Sequence, residues 1–304
     1  MSITAFIGAM ELGLVYSLLA FGTYISFRIL KVADLTVDGS FVLGAAASAM
    51  FTFADRPVAG IIAALIAGAI AGVITALLQT KMGIQPILAG ILTMTGLYSI
   101  NLIVMGGKAN IPLLNKANIF THAETLLGGR LYKIIMLMAI ISAVFVLLNW
   151  FFRTQLGLFI RATGDNEDMC RASSIDTDFV KIVGFSLSNS IVALSGALVS
   201  QMQQSADINM GSGMVVISFA SIIIGSVIIK NKNITLGLMS VVMGSVIYRL
   251  IIALILTTNF PPSYLKLISA LIVTIALSMP NLKKKIKFNK MGRGISNANN
   301  QLIK

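Results

Sequence analysis

Two carboxylates four residues apart, Asp34 and Asp38, open the segment A-D-L-T-V-D-G-S-F-V-L-G together with Thr36, Gly39 and Ser40. At the start of an apolar helix such residues can cap free backbone N–H groups, or they can hold an ion or proton on a transport route. Glu11 and Arg249 are two further charges inside apolar segments, and a buried ion pair between them is one expectation. A third polar interruption is N-M-G-S-G-M-V-V-I-S, where Gly211, Ser212 and Gly213 are too flexible for the middle of a helix. It predicts a re-entrant turn or the start of a half-helix. The largest polar island is R-A-T-G-D-N-E-D-M-C-R-A-S-S-I-D-T-D-F-V-K, from Arg161 to Lys181. It holds Asp165, Glu167, Asp168, Asp176 and Asp178, five of the chain's 11 acidic residues, interleaved with Arg161, Arg171 and Lys181.

None of these groups forms a catalytic set. The sequence has no G-x-x-x-x-G-K-[ST] phosphate loop, so no ATPase site of its own is expected. The only histidine, His122, has no second metal ligand near it, and the only cysteine, Cys170, has no neighbouring base. We therefore expect no catalytic residues, no metal and no cofactor in this chain. A single cysteine also excludes an internal disulfide framework.

The elements that must position these residues follow from composition. Of 304 residues 57% are hydrophobic and 11% charged, with a mean hydropathy of +0.91. Soluble domains carry about 25% charge. The apolar runs reach the roughly 20 residues that cross a hydrocarbon core, longer than barrel strands. The reading is an all-α polytopic transmembrane bundle of about nine spans, with eight to ten compatible. They lie near 4–27, 34–52, 57–79, 84–106, 132–152, 179–203, 212–229, 233–256 and 263–280. The N-terminus reads as a retained span rather than a cleaved signal.

With the N-terminus outside and the C-terminus cytoplasmic, sixteen of the 23 Lys and Arg fall on the inner side and five on the outer. That asymmetry follows the positive-inside rule. It also accounts for the net charge of +12 without nucleic acid as a partner. Residues 1–282 form the membrane domain, with a cytoplasmic loop at 153–181, and 283–304 form a basic cytoplasmic tail. The second and seventh spans are short or Gly/Ser-rich and are expected to be broken within the bilayer. D-G-S-F-V-L-G and G-S-G-M-V-V-I-S lie at comparable places in the two halves, as in a degenerate repeat, and bracket a candidate route near the midplane.

The island then lies between an inward and an outward span. Thr163 or Asp165 is expected to cap a short helix, with Glu167 and Asp168 in its first turn. Met169, Cys170 and Ala172 give that helix an apolar face. Asp176 or Thr177 caps the next span. An apolar knob with a charged rim suits a docking element for a soluble partner better than a plain connector.

Three segments carry a resemblance: A-D-L-T-V-D-G-S-F-V-L-G-A, R-A-T-G-D-N-E-D-M-C-R-A-S-S-I-D-T and S-G-M-V-V-I-S-F-A-S-I-I-I-G. The chain resembles the permease subunits of bacterial ATP-binding cassette (ABC) importers of the branched-chain amino acid and ribose type. D-L-T-V-D-G-S is most similar to a subgroup proposed to carry amino acids such as tryptophan or tyrosine. The resemblance implies a multi-pass protein of the bacterial plasma membrane that works as a homodimer or heterodimer. It implies two cytoplasmic ATPase subunits, which hold the ATP and Mg, and an external substrate-binding protein. It also makes the segment 165–174 a coupling helix on the ATPase, with Thr163, Gly164, Asp165, Asn166, Glu167, Asp168, Met169, Arg171, Ala172 and Ser174 as its contact set. One departure is Ser174, where relatives often have Gly; a tighter or more strained turn is expected there. Asp34, Thr36, Asp38, Ser40, Gly211, Ser212 and Gly213 are the candidate pathway residues. Sugar or nucleoside import is an alternative within the family. An ion-coupled secondary transporter, with Asp38 or Glu11 as the ion site, is an alternative of another class, but it gives the island no purpose. A non-transporting scaffold would leave the intramembrane carboxylates without one.

Overall fold

The computed structural model describes residues 3–129, 131–229, 233–257, 264 and 267–274. Eleven helices and two short strands make up these residues. They are α1 (Ile3–Thr23, continued by a π-helical stretch, Tyr24–Ile29), α2 (Val37–Phe53), α3 (Pro57–Thr80), α4 (Pro86–Val104), β1 (Asn110–Pro112), α5 (Ile119–Leu127) and α6 (Tyr132–Phe151). Then come α7 (Gln155–Asp165), α8 (Glu167–Ala172), α9 (Thr177–Gln203), β2 (Ser205–Asp207), α10 (Met214–Ile228) and α11 (Ile234–Leu256). Six helices are long and apolar enough to cross a membrane: α1 with its extension, α3, α4, α6, α9 and α11. The second and seventh expected spans appear as the shorter apolar helices α2 and α10. Of the expected ninth span, residues 267–274 are helical, while half of that span and all of the basic tail lie outside the described residues.

The bundle is organised around α9, which packs against α1, α2 and α3. Small residues set the spacing. A Cβ at Gly44 of α2 would overlap the backbone of Ala193, and one at Gly196 of α9 would overlap the carbonyl of Phe41. Gly68 and Gly72 of α3 press in the same way on Asn189 and Phe185. Helices in hydrocarbon gain little from burying apolar area against one another, so close backbone contact through small residues supplies the packing. The outward face of α3 is a ridge of Val58, Ile62, Ile66, Ile70 and Ile74, all exposed and one helical turn apart.

Direct bonds lock the order of the helices. Ser195 Oγ donates to Val15 O, and Ser188 Oγ to Gly22 O. Ser245 Oγ donates to Gly13 O and ties α11 to α1. At one end Gln201 gathers α2, α3 and α5: its Nε2 donates to Ser48 Oγ and Pro57 O, while its Oε1 accepts from Ile119 N. At that same end β1 and β2 pair antiparallel, with Ile111 opposite Ala206. The expected long loop at 106–130 therefore holds a strand and the helix α5, started by an Asn118–Thr121 capping box. His122 sits exposed on α5.

Glu11 and Arg249 do not form the expected ion pair. The Arg249 guanidinium lies over the Tyr16 ring, 5.4 Å from its centroid, and the basic group that acts on Glu11 is Lys133. The guanidinium is thus seated on an aromatic ring of α1 rather than on the Glu11 carboxylate.

Candidate functional site

Two helices begin inside the bundle. Beyond Ile29 the chain loses helical structure from Leu30 to Leu35 and resumes at Val37. Asp34 terminates this stretch at full burial. Its Oδ1 accepts from Thr36 N at 2.9 Å, and its Oδ2 accepts from Asn189 Nδ2 at 2.8 Å. Asn189 is the 13th residue of the 27-residue α9, roughly 18 Å along a helix of about 40 Å. The first turn of α2 therefore lies near mid-depth, and irregular backbone is tolerated there because protein covers it.

Asn189 is the hub of the surrounding network. Besides Asp34, its Nδ2 donates to Phe185 O, and its Oδ1 accepts from Ser40 Oγ at 2.7 Å. Thr36 Oγ1 lies 2.9 Å from Thr75 Oγ1 of α3. Asp34, Thr36, Ser40, Thr75 and Asn189 are all 0–1% exposed. Asp34 thus accepts a backbone N–H at the start of α2, as a cap would, but it does so sealed between α2, α3 and α9. Asp34, Thr36 and Ser40 face this packed seam rather than open space. Asn189 escaped the sequence reading, and the only signal for it was one amide in the run S-L-S-N-S.

Asp38 points the other way. Its Oδ2 accepts from Gly213 N at 3.0 Å and its Oδ1 from Val215 N at 2.8 Å. The helix α10 starts after Gly213 in the left-handed region (φ 89°), with no capping side chain of its own there. Asp38 supplies from α2 the acceptor that a local cap would supply, and its charge meets the positive end of α10. Gly211 lets the two segments touch, since a Cβ there would overlap Asp38 O and Val42. Both interrupted segments therefore begin at the same depth and are tied through one carboxylate. Asp34 and Asp38, four residues apart, serve opposite sides of α2 because Asp34 precedes the helix.

A cleft of about 320 Å³ opens beside this junction. Asp38, Gly39 and Val42 form one wall, and the loop before α10, including Gly211 and Ser212, forms another. The third wall is α4, with Met94, Thr95, Tyr98 and Asn101. Asn101 Nδ2 donates to Gly39 O at 3.2 Å, whereas its buried Oδ1 has no hydrogen-bond partner among the described residues. The α4 wall was not singled out in the sequence, although Thr95, Tyr98 and Asn101 interrupt that apolar run.

At the other end of the bundle the polar island folds into two helices. Thr154 caps α7 and Asn166 caps α8; Asn166 Oδ1 accepts from Met169 N at 3.0 Å. The expected caps, Thr163 and Asp165, belong instead to the last turn of α7, where Thr163 is buried and Asp165 exposed. Asp176 caps α9 by accepting from Asp178 N and Phe179 N. Gly164 is pinned in place, since a Cβ would overlap Ile29 O.

Five of the island's eight charges are paired, some with each other and some with lysines of other segments. Glu167 Oε1 accepts from Arg171 at 2.9 Å and Oε2 from Lys181 at 2.7 Å. Asp165 bonds Lys31 at 2.8 Å, and Asp178 bonds Lys81 at 3.1 Å. Partial burial pushes the Glu167 carboxyl up, but Lys181 and then Arg171 outweigh it and hold the group below the ordinary glutamate range. Its stabilising effect is complete above that range and fades only as pH falls through the lowered folded value. Cys170 turns inward at 1% exposure, while Met169 (57% exposed), Asp168 and Ala172 face outward. The apolar face of α8 is therefore split between a buried anchor and a projecting knob.

Ser174 ends this element with φ 60°, in the left-handed region. A side chain there costs about 1 kcal/mol relative to glycine. Ser174→Gly should raise the thermal midpoint of the purified protein slightly, by the equivalent of roughly 0.5–1 kcal/mol. A lowered midpoint would show that the hydroxyl matters more than the strain.

Comparison with known proteins decides the class. Residues 6–277 match the model of the family described as branched-chain amino acid transport system / permease component. The chain belongs to this family. A tyrosine transport system permease protein of Clostridioides difficile is 35% identical to the permease over 282 residues, covering 92% of this chain and 93% of the relative. An uncharacterized protein of Rickettsia prowazekii is 36% identical over 276 residues, covering 90% and 96%. The ribose import permease of Escherichia coli K12 is more distant, at 26% over 263 residues, covering 83% and 78%. The permease is a multi-pass membrane protein, which in bacteria places it in the cell membrane. The D-L-T-V-D-G-S and G-S-G segments are the two that meet at its central junction.

Proposed function

We propose that this permease is the translocating subunit of an ABC importer and that its cargo is an amino acid, with an aromatic amino acid such as tyrosine as the first candidate. The observation that carries the reading is the match along nearly the whole chain to a tyrosine transport permease, stronger than the match to ribose permeases. The geometry adds a division of labour. The α7–α8 element at the basic end is the coupling surface, and Asp168, Met169 and Ala172 touch the ATPase. Glu167, Arg171, Asp165 and Lys31 hold that surface in shape. ATP and Mg reside on the separate ATPase subunits. Asp38, Gly211, Ser212 and Gly213 border the route, whereas Asp34, Thr36 and Ser40 hold α2 against α9 and α3.

The basic end is cytoplasmic and the β1–β2 end faces out, where an external binding protein delivers cargo. A second permease copy completes the channel. Closure of the ATPases on ATP draws the two coupling elements together and favours one access state over the other. Because α2 and α10 both start at mid-depth and share Asp38, a tilt of either half moves the junction that separates the two sides.

Reconstitution with the ATPase and binding protein tests the function. Vesicles should accumulate L-tyrosine only with ATP on the ATPase side, and ribose should not compete. ATP-independent accumulation driven by an ion gradient would replace this reading with a secondary carrier.

A further inference from the structure

Two adjoining clefts, each of about 260 Å³, open at the basic end, away from both the central junction and the face of α8. Arg28 and Arg161 line the first, and Arg153 and Arg161 line the second. The three arginines come from three places in the chain: the π-helical end of α1, the α6–α7 connection and α7. All three are exposed, and none makes an ion pair among the described residues. The one carboxylate in the lining, Asp165, is already bonded to Lys31 at 2.8 Å. Asn233 and Ile234, at the start of α11, line both clefts, and the Asn233 side chain makes no capping bond. Thr235 and Asn149 complete the second cleft and are bonded to each other at 2.7 Å. Three unpaired guanidinium groups around a shared hollow form a receptor for phosphate oxygens, which arginine binds in bidentate fashion.

The neighbourhood identifies the source of the phosphate. One helical turn before two of these arginines the chain is apolar and exposed: Trp150 and Leu147 on α6, ahead of Arg153, are 67% and 62% exposed, and Leu158 on α7, ahead of Arg161, is 48% exposed. The arginines thus mark the rim between a hydrocarbon-facing belt and a polar end, the level at which phospholipid headgroups lie. An exposed tryptophan at such a rim is typical of the membrane interface. A free anion or an acidic segment of a soluble partner would have no use for that apolar skirt.

We infer that the arginine clefts hold the headgroup of an anionic phospholipid, with acyl chains along Trp150, Leu147 and the apolar side of α7. Only the leaflet, cytoplasmic, rests on the proposed topology; the site itself does not depend on the cargo. Bound lipid would brace α7, the first helix of the coupling element.

The test uses the full-length permease extracted from vesicles of equimolar phosphatidylglycerol and phosphatidylcholine, with retained lipid counted by native mass spectrometry. Each arginine near an anionic surface contributes about fivefold in affinity. Wild type should retain phosphatidylglycerol in clear excess. The triple variant Arg28→Gln, Arg153→Gln, Arg161→Gln should fall to the bulk ratio. The corresponding triple Arg→Lys variant, which keeps the charge but loses the bidentate fork, should retain an intermediate excess and controls for folding, and Lys284→Gln with Lys285→Gln in the tail should leave it unchanged. No excess in wild type, or an undiminished excess in the glutamine variant, overturns the site. Displacement of the lipid by millimolar inorganic phosphate, or its complete loss on binding the ATPase, overturns the lipid as occupant.

Discussion

Asp38→Ala is expected to reduce ATP-driven uptake by more than about tenfold while the permease remains folded and bound to its ATPase. The alanine leaves the N–H groups of Gly213 and Val215 without the charged acceptor that holds them at 3.0 and 2.8 Å. Hydrogen bonds to a charged group are worth about 1.5–3 kcal/mol each, so the start of α10 loses several kcal/mol of local support. The damage is confined to the junction, because α2 stays fixed to α9 through Asp34, Ser40 and Asn189. Asp38→Asn keeps one oxygen acceptor and should fall between wild type and alanine. Uptake, thermal midpoint and ATPase retention must be measured together. Normal uptake in a folded Asp38→Ala protein would remove the junction from the transport route.

Asn189→Ala should damage stability rather than transport. It strips Asp34 Oδ2 of its 2.8 Å donor and Ser40 of its acceptor in a seam where every member is 0–1% exposed. Leaving a buried group without its hydrogen-bond partner costs about 1–3 kcal/mol, more when the group is charged. The expected outcome is poor yield in the membrane and a strongly lowered midpoint in detergent. Asp34→Asn should partly rescue it by removing the charge that Asn189 solvates. If the double variant is no more stable than Asn189→Ala alone, the two residues are not coupled as the geometry requires.

The main elements were legible because their signals are physical. Long apolar runs give α1, α3, α4, α6, α9 and α11, and the weaker runs give the short α2 and α10. The Gly211–Gly213 turn was visible because no helix interior tolerates G-S-G, and it does start a helix. What remained hidden depends on which residues meet. Nothing in the spacing says that Asp38 caps a helix more than 170 residues away, while Asp34 binds α9 instead. The Glu11–Arg249 pair looked natural as two isolated charges, but the guanidinium lies over the Tyr16 ring instead. The charges of the island were visible and their pairing was not: Glu167 faces Arg171 and Lys181, so its role is internal. Asn101 and Asn189 were the hardest, since a single amide in an apolar run looks the same whether it packs, lines a cleft or solvates a carboxylate.

The central claim is that an ATPase drives this permease through α8. Its most direct measurement is co-purification of the ATPase with Met169→Asp and Asp168→Lys, changes confined to the outward face and clear of the internal ion pairs. Loss of an exposed anchor in a docked interface costs about 2 kcal/mol or more, so retained ATPase should fall more than about tenfold for the double variant. The midpoint of the permease alone should not change. Undiminished ATPase on the double variant would contradict the account.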